Sequence, residues 1–220
     1  MTGARIAAID QTNLRDSAYL ALRDAFTRGE FAPGEVLSLR SLAAQLDTSM
    51  TPVREAVRRL VAEGALIDTR SRTLLVPPFD ARRMMDLKSA RLALESLVLD
   101  QAMACMDAEG IAALRAILDC PRTSDQIGPD LLQNYTFHFT VYRMSGSEVL
   151  LPIVEALWLQ YGAYLNLIIN HQDVQDIDEH KYHEALIAAL QARDKPAAQA
   201  ALAADIEQSF GVLADQANTA

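Results

Sequence analysis

Pro77 and Pro78, side by side in the stretch VPPFD (76–80), limit what this chain can fold into more than any other residues. Neither can donate a backbone hydrogen bond, so no helix or sheet ladder runs through them. Val76, which precedes a proline, is pushed into extended backbone. The chain is therefore read as two parts, residues 1–78 and residues 79–220. At 220 residues it is long enough for one large domain or two small ones.

The first part reads as three helices and a hairpin. Tyr19, Leu22, Ala25 and Phe26 recur at helical spacing between Leu14 and Arg28, and Gly29 stops that helix. Pro33-Gly34 turns the chain. Ser38 caps a short second helix, Arg40 to Leu46. After the tight turn LDTS, Ser49 or Thr51 caps a third helix, with Pro52 and Glu55 in its opening turns. Its inner stripe is Val53, Ala56, Val57 and Leu60, and Gly64 ends it. The apolar runs ALID and TLLVP flank TRSR, which reads as a two-strand hairpin with a basic tip, Arg70 and Arg72.

This order is a winged helix-turn-helix, in which the second helix of the pair enters the DNA major groove. Charge supports that use. The chain has a formal net charge of -9, yet residues 1–78 hold 10 Arg against 9 acidic residues, while residues 79–220 carry the whole acidic excess. A part that escapes the general acidity can face an anion. The same charges also suit a merely solvated helix face; the basic hairpin tip favours DNA.

PGEVLSLRSLAAQLDTSMTPVREAVRRLVAEGALI (33–67) resembles the DNA-binding domain of the GntR family of bacterial transcription regulators. The resemblance spans 14–76. It implies DNA contacts from Arg40, Thr51 and Arg54, with Arg72 at the wing; the basic helix itself offers Arg58 and Arg59, beside Arg54, to phosphate and base edges, with Ser49 at its start. Met50 stands where many members have an Arg that reads guanine, and Met cannot make that bidentate contact. Thr73 stands where a wing glycine is usual, and Thr disfavours positive φ.

From Asp80 the reading is all helix: six helices at approximately 80–106, 107–119, 129–145, 147–171, 176–193 and 195–216. The fold class is mainly α, an N-terminal winged helix-turn-helix followed by an all-α antiparallel bundle. No apolar run approaches the roughly 20 residues that span a membrane, and the start lacks a signal-peptide core. Cys105 and Cys120 read as reduced cysteines of a cytoplasmic protein, used in packing.

Some polar residues fall on apolar stripes. Asn134 and His138 are four apart and share a helix face. His183 lies on the stripe of Leu186, Ile187 and Leu190, and Asp205 lies beside Leu202 and Ile206. Each alone suits a hydrogen-bonded core residue. Together, on three helices of one bundle, they suit a metal or ligand site. Arg91 and Glu95, four apart, suit a surface ion pair or, for Arg91, a clamp on an effector carboxylate. His171 reads as a surface residue, and His180, three before His183, as solvated near a helix start or as a substitute ligand.

LKSARLALE, NYTFHFTVYRMSGS and HEALIAALQARDKPAAQAALAAD resemble the ligand-sensing FCD domain of the FadR branch, in its shorter, VanR-like form. That resemblance implies a homodimer on a palindromic operator, usually repressing a catabolic operon, and a metal held by Asp-x-x-x-His and two further histidines. His138 and His183 match. Asn134 replaces the Asp, and Asp205 replaces the last His. Asn134, His138, His183 and Asp205 keep the site's charge of about -1. They can hold zinc, nickel or manganese with positions open to a small carboxylate, or bind the effector without metal. A helical metal-binding enzyme is disfavoured because HEALI ends in Ile187 where a zinc-protease helix needs His. A protein-interaction module remains the other alternative.

Overall fold

A computed structural model describes residues 11–69, 73–121, 129–170 and 180–217. The N-terminal part opens with α1 (Gln11–Thr27), β1 (Val36–Leu37), α2 (Leu39–Gln45) and α3 (Met50–Ala62). It closes with β2 (Ile67–Asp68) and β3 (Leu74–Leu75). Gly29 and Gly64 end α1 and α3 with φ of 66° and 78°, a region that costs glycine least. Ser38 caps α2 by accepting from the Ser41 amide at 3.1 Å. Ser49, not Thr51, occupies the N-cap position of α3, and its side chain makes no capping bond. The tight turn ahead of it is made by Asp47 with φ 46°.

The expected hairpin is β2–β3, and β1 adds a third antiparallel strand in the order β1-β3-β2. Val36 pairs with Leu75 on one side of β3, and Ile67 pairs with Leu75 on the other. A two-residue strand is too short to show alternation, which is why β1 is not legible in sequence. Thr73 has no positive φ. Instead its carbonyl accepts from the Thr69 amide at 3.0 Å and from the Thr69 hydroxyl at 2.9 Å, closing the base of the wing. Arg70 and Arg72 lie outside the described residues, as does His171.

The C-terminal part holds α4 (Ala81–Cys105), α5 (Ala108–Leu118), α6 (Leu131–Arg143), α7 (Leu150–Ile169), α8 (Lys181–Ala192) and α9 (Lys195–Ala217). Asp80, Asp107 and Asp130 begin α4, α5 and α6 by accepting from the amide three residues on. Asp194 does the same for α9. An anionic cap also suits the positive end of a helix. Arg193 ends α8 at φ 53°, and its guanidinium donates to the Met106 carbonyl at 3.0 Å. That bond satisfies an orphan carbonyl next to the end of α4.

Two corrections concern residue placement. Cys105 and Cys120 are free but exposed, not packed inside. Both lie where a helix runs out and its inward stripe ends. Arg91 and Glu95 form their ion pair inside the bundle, at 2% and 0% side-chain exposure, not on its surface.

The described residues form two hydrophobic cores, and α7 contributes to both. Leu159 and Ala163 pack among Phe26, Val53, Leu60 and Val76, while Trp158, Tyr161 and Leu165 belong to the bundle. The α1–α7 contact is close: a side-chain carbon on Gly162 would lie 2.6 Å from the Phe26 carbonyl oxygen. Asn166 donates to the Gly29 carbonyl at 2.7 Å, and Arg83 donates to the Gly64 carbonyl at 3.1 Å and to Gln160 at 2.8 Å. These bonds tie the Gly29 turn of the head to α7 and the Gly64 turn to α4, which Gln160 of α7 holds in turn.

Candidate nucleic-acid interface and candidate metal centre

Helix α3 buries Pro52, Val53, Ala56, Val57 and Leu60 and leaves the other side bare. Ser49, Met50, Thr51, Arg54, Arg58 and Arg59 are exposed there, and Arg40 is exposed on α2. The arginines differ in how free they are. Arg59 is drawn aside: it pairs with Glu63 at 3.0 Å and lies 3.6 Å above the Tyr19 ring. Glu63 also accepts from the Tyr19 hydroxyl at 3.0 Å. Arg58 pairs with Glu55 at 2.9 Å but stays 70% exposed, a weak, easily exchanged contact. Arg40 and Arg54 form no ion pair with any described residue. Met50 is 48% exposed at the first position of α3.

The bundle holds a second polar centre. His138 and Asn134 come from α6, His183 from α8 and Asp205 from α9. His138 and His183 are buried, and the Asp205 side chain is 17% exposed. The His138 Nε2 lies 3.0 Å from Asp205 Oδ2 and 3.2 Å from His183 Nε2. His183 Nε2 lies 3.5 Å from Asp205 Oδ1. Two donors each about 2.0–2.1 Å from one ion sit roughly 3.0–3.4 Å apart, so these spacings fit a shared divalent cation. They fit hydrogen bonding through a proton equally well. Asn134 sits one turn before His138 on α6, half-buried.

The electrostatics of this centre follow from burial and from one another. Burial and then the neighbouring His138 push His183 down to about 4, against the pull of Asp205. A neutral imidazole is the form that binds metal. Burial alone would raise the Asp205 carboxyl, but the charge and hydrogen bond of His138, with His183 and Arg91, hold it below the usual range.

Arg91 borders this centre. Its Nε donates to Glu95 Oε1 at 2.6 Å and its Nη2 to Oε2 at 3.3 Å. Its guanidinium faces Trp158 at 4.2 Å and Tyr161 at 4.6 Å. Burial would discharge Arg91, but the Glu95 charge and hydrogen bond outweigh it and keep it cationic. Trp158 in turn packs on His138, ring centres 5.3 Å apart, with its buried Nε1–H lacking a protein acceptor.

Comparison with known proteins bears on both centres. The model of the FCD domain matches residues 86–208, and that of bacterial regulatory proteins of the gntR family matches residues 14–75. The HTH-type transcriptional regulator McbR of Escherichia coli (strain K12) is 30% identical over 90% of this chain and 91% of its own length. This chain belongs to the GntR family of regulators, with an FCD domain.

The HTH-type transcriptional repressor GlaR of the same organism is 26% identical over 80% of the chain and 84% of its own length. Among solved structures, E. coli McbR/YncC superposes with a TM-score of 0.83 at 28% identity, covering 92% of this chain and 98% of that one. A GntR regulator with an FCD domain is a DNA-binding transcription regulator and not an enzyme. No described helix is long and apolar enough to cross a membrane.

For this regulator, sequence spacing brought out His138, His183 and Asp205, and the fold brings them together. Spacing missed Glu95 as an interior partner, and it missed Tyr142 and Trp158. Tyr142 was legible as the residue four after His138, on the same helix face. Trp158, the single tryptophan, left no pattern at all.

Proposed function

We propose that this GntR regulator is an effector-gated repressor of a metabolic operon, working in the cytoplasm as a homodimer on a palindromic operator. The observation that carries the reading is the buried His138, His183 and Asp205 cluster beside a cationic Arg91, in a chain whose other end exposes a basic helix. Repression is supported by a relative whose name is repressor.

On the operator, Arg40, Thr51 and Arg54 make the direct contacts, because they are exposed and free of intramolecular ion pairs. Ser49, whose hydroxyl is not spent on capping α3, meets a backbone phosphate. Arg58 exchanges Glu55 for phosphate, and Arg72 reaches the flanking groove from the wing.

In the bundle, Asn134, His138, His183 and Asp205 hold a divalent zinc, nickel or manganese ion. When bound, the ion offers open coordination positions to a small carboxylate. Arg91 faces that carboxylate with the edge Glu95 does not occupy, and the Trp158 Nε1–H supplies a further donor. The direct 3.0 Å contact of His138 with Asp205 also supports a metal-free version, with the effector held by the same side chains. The effector state reaches the DNA-binding head through α7, whose Trp158 touches the site and whose Gly162 and Ala163 touch α1 and its core. A coupling of about 1–3 kcal/mol is typical of such regulators.

Metal content and operator binding test this together. Purified without chelator, the protein is expected to carry about one transition metal per chain by elemental mass spectrometry. Its affinity for a selected operator should fall steeply with salt and fall again on adding a small carboxylate. His183→Ala should abolish the response to that acid; an unchanged response sinks both versions of the site.

A further inference from the structure

We infer that Glu95 and Tyr142 are positioning residues for the His/His/Asp centre: they hold the imidazole proton of His138 on Nδ1 and so aim its Nε2 at His183 and Asp205. The inference rests on the metal reading above for its function, but not for its hydrogen-bond logic.

That logic starts at Arg91. Its buried guanidinium donates to both oxygens of Glu95, which sets that carboxylate as an acceptor. The Tyr142 hydroxyl lies 2.5 Å from Glu95 Oε2, so its single proton is committed there. A phenol in contact with a carboxylate oxygen can bond to it only by donating. Its oxygen can then only accept. The other contact of that oxygen is His138 Nδ1, at 3.2 Å. His138 must therefore donate from Nδ1, which leaves Nε2 as the atom that meets the cluster.

Two helices supply this chain with the same spacing. Arg91 and Glu95 are one turn apart on α4, and His138 and Tyr142 are one turn apart on α6. All four are buried. Packing alone does not fix an imidazole tautomer, because the two ring nitrogens have nearly the same shape; a hydrogen bond of defined direction does. His183 makes the contrast. Its Nδ1 is buried with no hydrogen-bond partner, and its ring is placed by the Phe137 ring at 4.4 Å. One histidine of the pair has its Nδ1 held by a directed chain, and the other has no partner at Nδ1. Partners of this kind typically change metal affinity 10–100-fold.

The test uses full-length protein labelled with nitrogen-15 in histidine and two-bond proton–nitrogen spectra at pH 8, without metal and with zinc alone. The proton on His138 Nδ1 is expected in both samples. Tyr142→Phe removes the acceptor, so that proton signature should be lost or become mixed, and zinc affinity by calorimetry should fall roughly 10–100-fold. Glu95→Gln should reverse the chain. Its amide donates to Tyr142, Tyr142 then donates to Nδ1, and His138 is left without a proton on Nδ1.

A bare His138 Nδ1 in the unsubstituted protein overturns the inference, and so does zinc bound by Tyr142→Phe as tightly as by the parent. If Glu95→Gln does not fold, Tyr142→Phe, which removes one oxygen, decides. If the parent binds no zinc, nickel or manganese yet shows the Nδ1 proton, the metal reading fails and the positioning chain stands.

Discussion

The two halves of this regulator bury opposite kinds of residue. In the head, the buried set is apolar apart from Thr27, whose hydroxyl donates to the Asp24 carbonyl at 2.9 Å. Its described arginines are exposed, except Arg23, which is half-buried and pairs with Asp24 at 3.0 Å. In the bundle, Arg91, Glu95, His138 and His183 are buried along with the apolar core. An interior ion pair is weak evidence for stability, since desolvation offsets its attraction. Arg91 and Glu95 are therefore better explained by what they face, a polar centre, than by what they contribute to folding. The head uses its core to present charges to a partner, whereas the bundle uses its core to hold charges for one.

That contrast can be broken by substitution, and the largest effect is expected inside the bundle. Glu95→Ala leaves Arg91 charged and buried without its partner and should cost about 3–5 kcal/mol, read by urea unfolding. A loss below about 1 kcal/mol would mean that water already reaches the pair. In the head, Leu60→Ala opens a cavity at a residue with no exposure and should cost about 2–5 kcal/mol. If the two halves unfold together, as their sharing of α7 implies, both losses appear in a single transition.

Gly162→Ala tests that sharing. Its new carbon would meet backbone, not a movable side chain, so a cost of about 1–3 kcal/mol is expected, with weakened transmission of the effector response to operator binding. Arg54→Ala should leave the melting temperature in place and weaken operator binding by about 1–3 kcal/mol, roughly 5- to 150-fold, in a gel-shift titration. The smallest effect belongs to Arg58→Ala: a stability change within about 0.5 kcal/mol, because its pair with Glu55 is exposed, with a shallower salt dependence of DNA binding.

The head was more legible in sequence than the bundle's interior. Gly29, Gly64, Ser38 and the stripe of Val53, Ala56, Val57 and Leu60 act within one turn of their own helix, so spacing reveals them. The six later helices were legible for the same reason, helped by Asp80, Asp107, Asp130 and Asp194 at their starts. The strand β1 was not, because its pairing with β3 depends on residues 37 and 39 positions away. The aside taken by Arg59 was not legible either, because Tyr19 comes from a different helix.

The sequence by itself determined the order of the helices and the wing hairpin, the family, and the residue types that can meet at the polar centre, because periodicity and capping are local. Only the tertiary structure decided that the Arg91–Glu95 pair lies inside, that Tyr142 links Glu95 to His138, and that α7 joins both cores. The direction of a hydrogen bond and the burial of a charge depend on which helices pack together. The spacing of residues along any one helix does not contain that information.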